Sequence, residues 1–404
     1  MVYLPNTTVK PKVLVDAAVD ALGDTAVASN LVTKQGFEKF LGVEGDTISM
    51  RVKGTLPVRE YGFRNDRSQP IVTDTIKDTV VNVKIDLTHN YSALKLIDED
   101  KLFDFDGSWG DLFARQIEAL TNYNEFKVIN QIHNAPVEYL GIVDVTAASI
   151  KEETEKHRDP IFNAIVDAKA AIKKMRTPEA SFTCLCGSNF AAELIKSNRL
   201  VFAEGDGSAL STATLGSIAG VTFVESNIIP EDEAYIFAKS GFVLYNAAPP
   251  APTSAPYTAS ASAGGFALRW IMDYDTSFLT DRSVYDTYVG YDYTKDYIQV
   301  QNAQGQSFHS GMFEDAPYFT RGIKLFLKTD DNEGKDASGN VVEAFEPGDG
   351  KALNEKGNPT AGSKEGSFLD LAFHNKLTEL THYTDKTQLF PGVLEVPGVM
   401  PIGS

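Results

Sequence analysis

Near the start of the chain, apolar and polar positions alternate with a period of two in two separate places. Ile48, Met50 and Val52 alternate with Ser49, Arg51 and Lys53, and Val81, Val83, Ile85 and Leu87 alternate with Asn82, Lys84 and Asp86. That period sends successive side chains to opposite faces and predicts two half-buried strands. The stretch between them has little periodicity and several arginines. Two strands alone are marginal in water, so this hairpin calls for a partner surface, supplied by another copy of the chain.

Helical spacing dominates elsewhere. Val13, Val15, Ala18, Val19 and Leu22 form a stripe that stops at Gly23-Asp24, and Leu31, Val32, Phe37, Phe40 and Leu41 make a second apolar patch. This segment is too short to bury a core of its own and reads as an arm that packs on something else. Phe113, Ile117, Leu120, Val128 and Ile132 predict a helix over about 109–133, with Ser108 as N-cap. At 1.5 Å per residue it is roughly 35–40 Å long, a spine against which a sheet can lie. Asp159-Pro160 opens another helix that runs to Met175. "ASFTCLC", "VTFVES" and "EAYIFAKSGFVLYN" read as strands, with a helix from about Ser188 to Ser197. "APPAPTSAPYTASASAGG" reads as a low-complexity loop, followed by the strand-like "FALRWIMDYDTSFLTDRSVYDTYVGYDY". Past Gln301, "GIKLFLK" is one further strand, and residues 329–370, with ten acidic residues and four lysines, read as a loop-heavy extension.

Composition narrows the class. With 404 residues, 43% of them hydrophobic and 23% charged, the chain has enough apolar surface for real cores. The formal net charge of -18 argues against a dedicated nucleic-acid or membrane-surface protein, which carries a basic face. No apolar run approaches the ~20 residues that span a bilayer. "MVYLPNTTVK" has neither the charged start nor the apolar core of a signal peptide. With only Cys184 and Cys186 as cysteines, the expectation is a protein made and folded in a cytoplasm.

A search for catalytic chemistry returns nothing, and no catalytic residue, cofactor site or metal site is assigned. The histidines at 89, 133, 157, 309, 374 and 382 lack metal-ligand spacing. Cys184 and Cys186 stand two apart in a predicted strand, share a face, and read as buried inert thiols. "DDNEGKDASGN" fails the calcium-loop pattern, because no glycine falls at its sixth place and Val341 stands where the bidentate glutamate belongs. The residues that stand out are Arg51, Lys53, Arg59, Arg64 and Arg67, interleaved with Asp46, Glu60 and Asp66. Stacking aromatics are sparse there, so a patch that meets carboxylates on another protein surface is the better reading.

The order of these parts resembles the major capsid (coat) proteins of tailed bacteriophages, with the Hong Kong 97-type fold, and most of all the branch similar to the phage P22 coat protein. "SNLVTKQGFEKFLGVEGDTISMRVKG" looks like the junction of arm and extended loop, and "TDTIKDTVVNVKIDLTHNYSALKLIDEDK" like the returning strand. "GSIAGVTFVESNIIP" is similar to a strand–turn unit of the axial domain, and "FALRWIMDYDTSFLTDRSVYDTYVGYDY" to the return to the peripheral sheet. The resemblance covers most of residues 1–300. It implies an α+β fold with an N-terminal arm at 1–44, an extended β-hairpin loop at 45–90, a peripheral domain at 91–179 and 271–300, an axial domain at 180–270, and a β-rich C-terminal extension at 301–404.

The implied role is a homo-oligomeric shell subunit, in hexamers and pentamers, enclosing packaged double-stranded DNA with only weak non-specific contact to it. The arm and extended loop would reach across a neighbour. Scaffolding, portal and decoration proteins are the implied partners, the virion capsid is the implied location, and assembly takes place in a host bacterial cytoplasm. The alternatives are a calcium- or glycan-binding surface or tail module, with Tyr285, Tyr288, Tyr291 and Tyr293 lining a groove, and a bacterial cargo-holding nanocompartment shell of the same fold.

Overall fold

A computed structural model describes residues 11–35, 47–52, 79–84, 87–97, 109–155, 159–177, 179, 181–197, 201–202, 214–253, 257–301, 307–309, 318–351 and 365–375. The fold is α+β. In chain order the elements are α1 (Pro11–Thr25), α2 (Ala28–Leu31), β1 (Thr33–Gln35), β2 (Thr47–Val52), β3 (Thr79–Lys84), β4 (Leu87–Ile97), α3 (Trp109–His133), β5 (Leu140–Asp144), α4 (Ala147–Glu155), α5 (Pro160–Lys174), β6 (Phe182–Cys186) and α6 (Ser188–Lys196). They continue with β7 (Val201–Phe202), β8 (Thr214–Ile218), β9 (Val221–Glu225), β10 (Glu233–Phe237), β11 (Phe242–Ala247), β12 (Tyr257–Ala263), β13 (Phe266–Asp275), β14 (Thr280–Tyr293), β15 (Gln299–Gln301), β16 (Ser307–His309), β17 (Gly322–Lys328) and α7 (Phe368–Phe373).

Two large sheets carry the fold. The first runs β1-β11-β14-β13-β12, with β4 along the other edge of β14. Its strands are antiparallel except β1, which runs parallel to β11. The second is mixed and runs β5-β17-β10-β6-β9-β8-β7. The strands β2 and β3 pair with each other, Ile48 opposite Val83 and Met50 opposite Val81, and join neither large sheet.

One face of the first sheet rests on α1 and the spine helix α3. Phe266, Leu268, Trp270, Tyr285 and Val289 meet Val15, Ala18 and Val19 of α1 and Phe113 and Leu120 of α3 in one apolar cluster. The second sheet is covered on both sides. Cys184, Cys186, Ala234, Ile236 and Leu325 face α5 and α7, while Leu185, Tyr235, Phe237 and Phe326 face the cluster around α3. All of β10 is therefore buried, and its sequence shows no alternation because neither face meets water.

Gln116, on the inner face of α3, is fully employed. The Gln116 amide donates to the carbonyls of Ser92 and Ser283, both at 3.0 Å, and accepts from the Ser283 hydroxyl at 2.9 Å. Trp270 Nε1 donates to that same hydroxyl at 3.0 Å. Buried polar groups satisfied in this way fix register without a desolvation penalty. Around them Trp270 packs edge-on to Phe113 at 5.2 Å and lies stacked on Tyr285 at 6.1 Å. Trp270→Ala leaves a cavity at this junction, and we expect a loss of about 3–5 kcal/mol of stability in urea denaturation.

The structure shows where several of these segments pack. Of the segment expected as an arm, the described residues 11–35 pack on this chain's own sheet and spine helix. Helix α1 lies on β12, β13 and α3, and the Glu125 carboxylate of α3 accepts from the backbone N–H groups of Ala28 (2.6 Å) and Ser29 (2.9 Å), capping α2 from outside it. The helix also continues through Gly23-Asp24 to Thr25. Part of the expected low-complexity loop is a strand, β12: its small Ala259 and Ala261 let α1 approach the sheet closely. Past 301, two described elements join the body of the fold. Strand β17 sits inside the second sheet between β5 and β10, and α7 is buried against α5. Within 180–270, β11, β12 and the start of β13 pair in the first sheet. Strand pairing is non-local, and the linear order of elements does not reveal it.

Candidate assembly surfaces and the frame that holds them

Of the candidate contact residues, Arg51 lies on β2 opposite Val80. Lys53, Arg59, Arg64 and Arg67 lie outside the described residues. The described residues thus place Arg51 on the hairpin strand β2.

The outer face of the first sheet, away from α1 and α3, is open. On β4 it carries His89, Tyr91, Ala93, Lys95 and Ile97, with Tyr91 68% exposed. Its centre is a charge cluster. Asp286 is buried, accepts from Arg269 Nε at 2.9 Å and from a second guanidinium nitrogen, and lies 2.9 Å from His89 Nε2. Further along, Arg282 bridges Asp273 (2.7 Å) and Asp275 (2.9 Å) and braces the β13–β14 turn. That turn exposes Phe278 and Leu279, and Leu279 adopts a φ of 51°, a conformation that disfavours a bulky side chain. These strands end in an exposed apolar tip.

The second cluster is buried where α3 ends on the second sheet. Lys324 Nζ lies 2.8 Å from Glu233 Oε1, and His133 Nδ1 lies 3.2 Å from Glu233 Oε2. The Tyr235 hydroxyl donates to Glu233, which uses its single proton. Its 2.7 Å contact with His133 Nδ1 is then donated by the imidazole N–H. Burial alone raises the Glu233 carboxyl. The hydrogen bond from His133, the Lys324 charge and the bonds from Lys324 and Tyr235 outweigh it and hold the pKa at about 2. Burial pushes the Tyr235 phenol well above its usual range, with the neighbouring Glu233 charge adding to the effect.

Other residues singled out in the sequence take structural places. Cys184 and Cys186 are free and buried on the same face of β6. Burial raises both thiols, Cys186 to about 12, so neither is a thiolate at neutral pH. Tyr285, Tyr291 and Tyr293 pack in the core cluster, and only Tyr288 of the four tyrosines is exposed; they line no groove together. Asp330 accepts from the Ala147 N–H at the start of α4 at 3.0 Å, and Asp336 accepts from the N–H groups of Ser338 (2.9 Å) and Asn340 (2.8 Å), so one carboxylate ties the loop to α4 and the other organises the loop itself. Among the described residues no group of three or more His, Cys, Asp or Glu side chains is arranged to hold a metal ion, and no helix is long and apolar enough to cross a membrane.

Three solved structures similar to this chain come from phages. A structure from Mycobacterium phage Che8 shares 16% identity, covering 74% of this chain and 90% of that one, with a TM-score of 0.46. The capsid structure of cyanophage P-SCSP1u shares 13% identity over 75% of this chain and 88% of that one, with a TM-score of 0.46. The mature capsid of bacteriophage PhiM1 shares 11% identity over 75% and 87%, with a TM-score of 0.45. No family model matches the sequence, and no curated protein does.

Sequence reasoning missed the Glu233 and Asp286 clusters. Both are assembled across strands, and His133 and Tyr235 are 102 positions apart. The one local signal was a charged residue inside an otherwise apolar strand, as in "EAYIF", because a charge in a covered sheet requires a partner.

Proposed function

We propose that this chain is a major capsid protein, a non-catalytic subunit that self-assembles into the icosahedral head shell around the packaged double-stranded DNA of a tailed bacteriophage. The observation that carries the reading is the β2–β3 pair, which belongs to neither large sheet. A two-stranded ribbon of this kind is marginal alone, and a neighbouring copy supplies the surface it lacks. The arginine-bearing stretch between the strands then meets carboxylates on that neighbour, as an acidic chain provides in quantity. The order of hairpin, spine helix, second sheet and return to the long antiparallel strands fits the resemblance to the Hong Kong 97-type coat proteins.

In this reading the first sheet with α3 forms the peripheral unit and the second sheet the axial unit. The subunits group as hexamers and pentamers, the DNA is held only by weak contacts, and scaffolding, portal and decoration proteins are the partners. Electron microscopy of the expressed protein tests it directly. Closed shells of uniform diameter are expected. A chain that sediments as a monomer across salt and concentration removes the reading.

A further inference from the structure

Among the described residues the chain passes between the two large sheets three times. One passage is the spine helix α3, tied to the first sheet through Gln116 and to the second through His133. The other two lead from β10 to β11 and from β14 to β17, and their described residues 238–241, 294–296 and 318–321 lie side by side. Thr294 N–H donates to the Gly241 carbonyl at 2.8 Å, Ala238 N–H donates to the Arg321 carbonyl at 2.8 Å, and Asp296 and Tyr318 exchange backbone hydrogen bonds at 2.8 and 3.0 Å. A Cβ at Gly241 would meet the Arg321 carbonyl oxygen at 3.3 Å, so glycine permits this close approach.

One side chain ties these passages together. Arg321 Nε donates to Asp296 Oδ2 at 2.7 Å and a terminal nitrogen donates to Asp296 Oδ1 at 2.6 Å. Its other terminal nitrogen donates to the Ser240 hydroxyl and lies 3.9 Å from Glu179. Thr320 also donates to Asp296, at 3.1 Å, and the Thr294 hydroxyl donates to the Ser240 carbonyl at 2.6 Å. The guanidinium thus joins the start of β17, the segment after β14 and the segment before β11 in one planar fork, a geometry that lysine cannot reproduce.

We propose that Arg321 is a positioning residue that holds the angle between the two sheets and, in the shell reading on which this consequence rests, sets the curvature of the assembled particle. A rod such as α3, fixed at both ends, still permits rotation of one sheet against the other about its axis. The clamp lies on the other connections and removes that freedom. Segments that absorb rotation between units are a few residues at the ends of elements, which describes 238–241 and 294–296.

The test uses the full chain with spin labels at two exposed positions, Tyr257→Cys on β12 and Ile195→Cys on α6. Distances between the labels are read in the isolated subunit. Arg321→Ala is expected to broaden and shift that distance distribution while near-ultraviolet circular dichroism shows a folded core. Arg321→Lys should give a smaller change, and the exchange Arg321→Asp with Asp296→Arg should recover much of the original distribution. By electron microscopy the Arg321→Ala particles should lose their single diameter. An unchanged label distribution in a folded Arg321→Ala or Arg321→Lys subunit overturns the proposal. If the unmutated chain forms no particles, the shell reading fails, and the label distances still decide whether Arg321 holds the sheets.

Discussion

Replacing Glu233 by Gln should destabilise the protein by about 3–5 kcal/mol, because it leaves the Lys324 ammonium buried beside a neutral amide. Lys324 and Glu233 are both largely removed from water, and their hydrogen-bonding groups are shared with Tyr235 and His133. Breaking one partner of such a set costs more than the pair contributes relative to an apolar substitute. The double variant Glu233→Gln with Lys324→Met should therefore recover a large part of the loss, and a double-mutant cycle in urea measures the coupling.

The same carboxylate sets an acid limb. Its folded pKa of about 2 lies below the usual glutamate value of 4.5, so its contribution is fully present above about pH 4.5 and is lost as pH falls towards 2. Denaturant midpoints taken from pH 5 down to 2 should fall steeply in the unmutated protein and less in Glu233→Gln. Parallel profiles would remove this carboxylate from the account.

Reversing Arg51, Arg59, Arg64 and Arg67 to Glu should abolish particle formation while the melting of the isolated subunit stays unchanged. Each reversal subtracts two charges, so the formal net charge goes from -18 to -26. A single exposed ion pair contributes little, about 0–1 kcal/mol. A shell repeats the contact in every subunit, and small changes multiply through multivalency. Repulsion replaces attraction at each copy, so the loss of assembly is large. Sedimentation and electron microscopy measure it, with thermal melting as the control for folding. Intact particles from the fourfold variant would show that these arginines do not face the neighbour.

The local elements were largely legible in the chain. The helix over 109–133 is α3, Trp109–His133, and Asp159-Pro160 opens α5, where Asp159 accepts from the N–H groups of Ile161 and Phe162. Such elements follow from side-chain spacing and capping groups within a few residues. Strand β4 was harder to recognise beyond Leu87. It is an edge strand, exposed on one face and only partly covered on the other, so apolar and polar residues are mixed along it. The five candidate cations illustrate the limit of local reasoning about a site: their residue types suggest an interface, and only Arg51 has a described place in the fold.

What the sequence determined by itself is the set of local pieces: the hairpin strands, the long helix, the capped helix at 160, the buried thiols and the acidic balance. Each depends on neighbours within a turn of helix or along one strand. The tertiary structure decided which pieces share a sheet. It placed α1 against its own β12 and β13, set β17 between β5 and β10, and brought Arg321 to Asp296 and Lys324 to Glu233. Those choices depend on burying whole faces against each other and on giving every buried charge a partner. Neither condition can be evaluated until distant segments are already side by side.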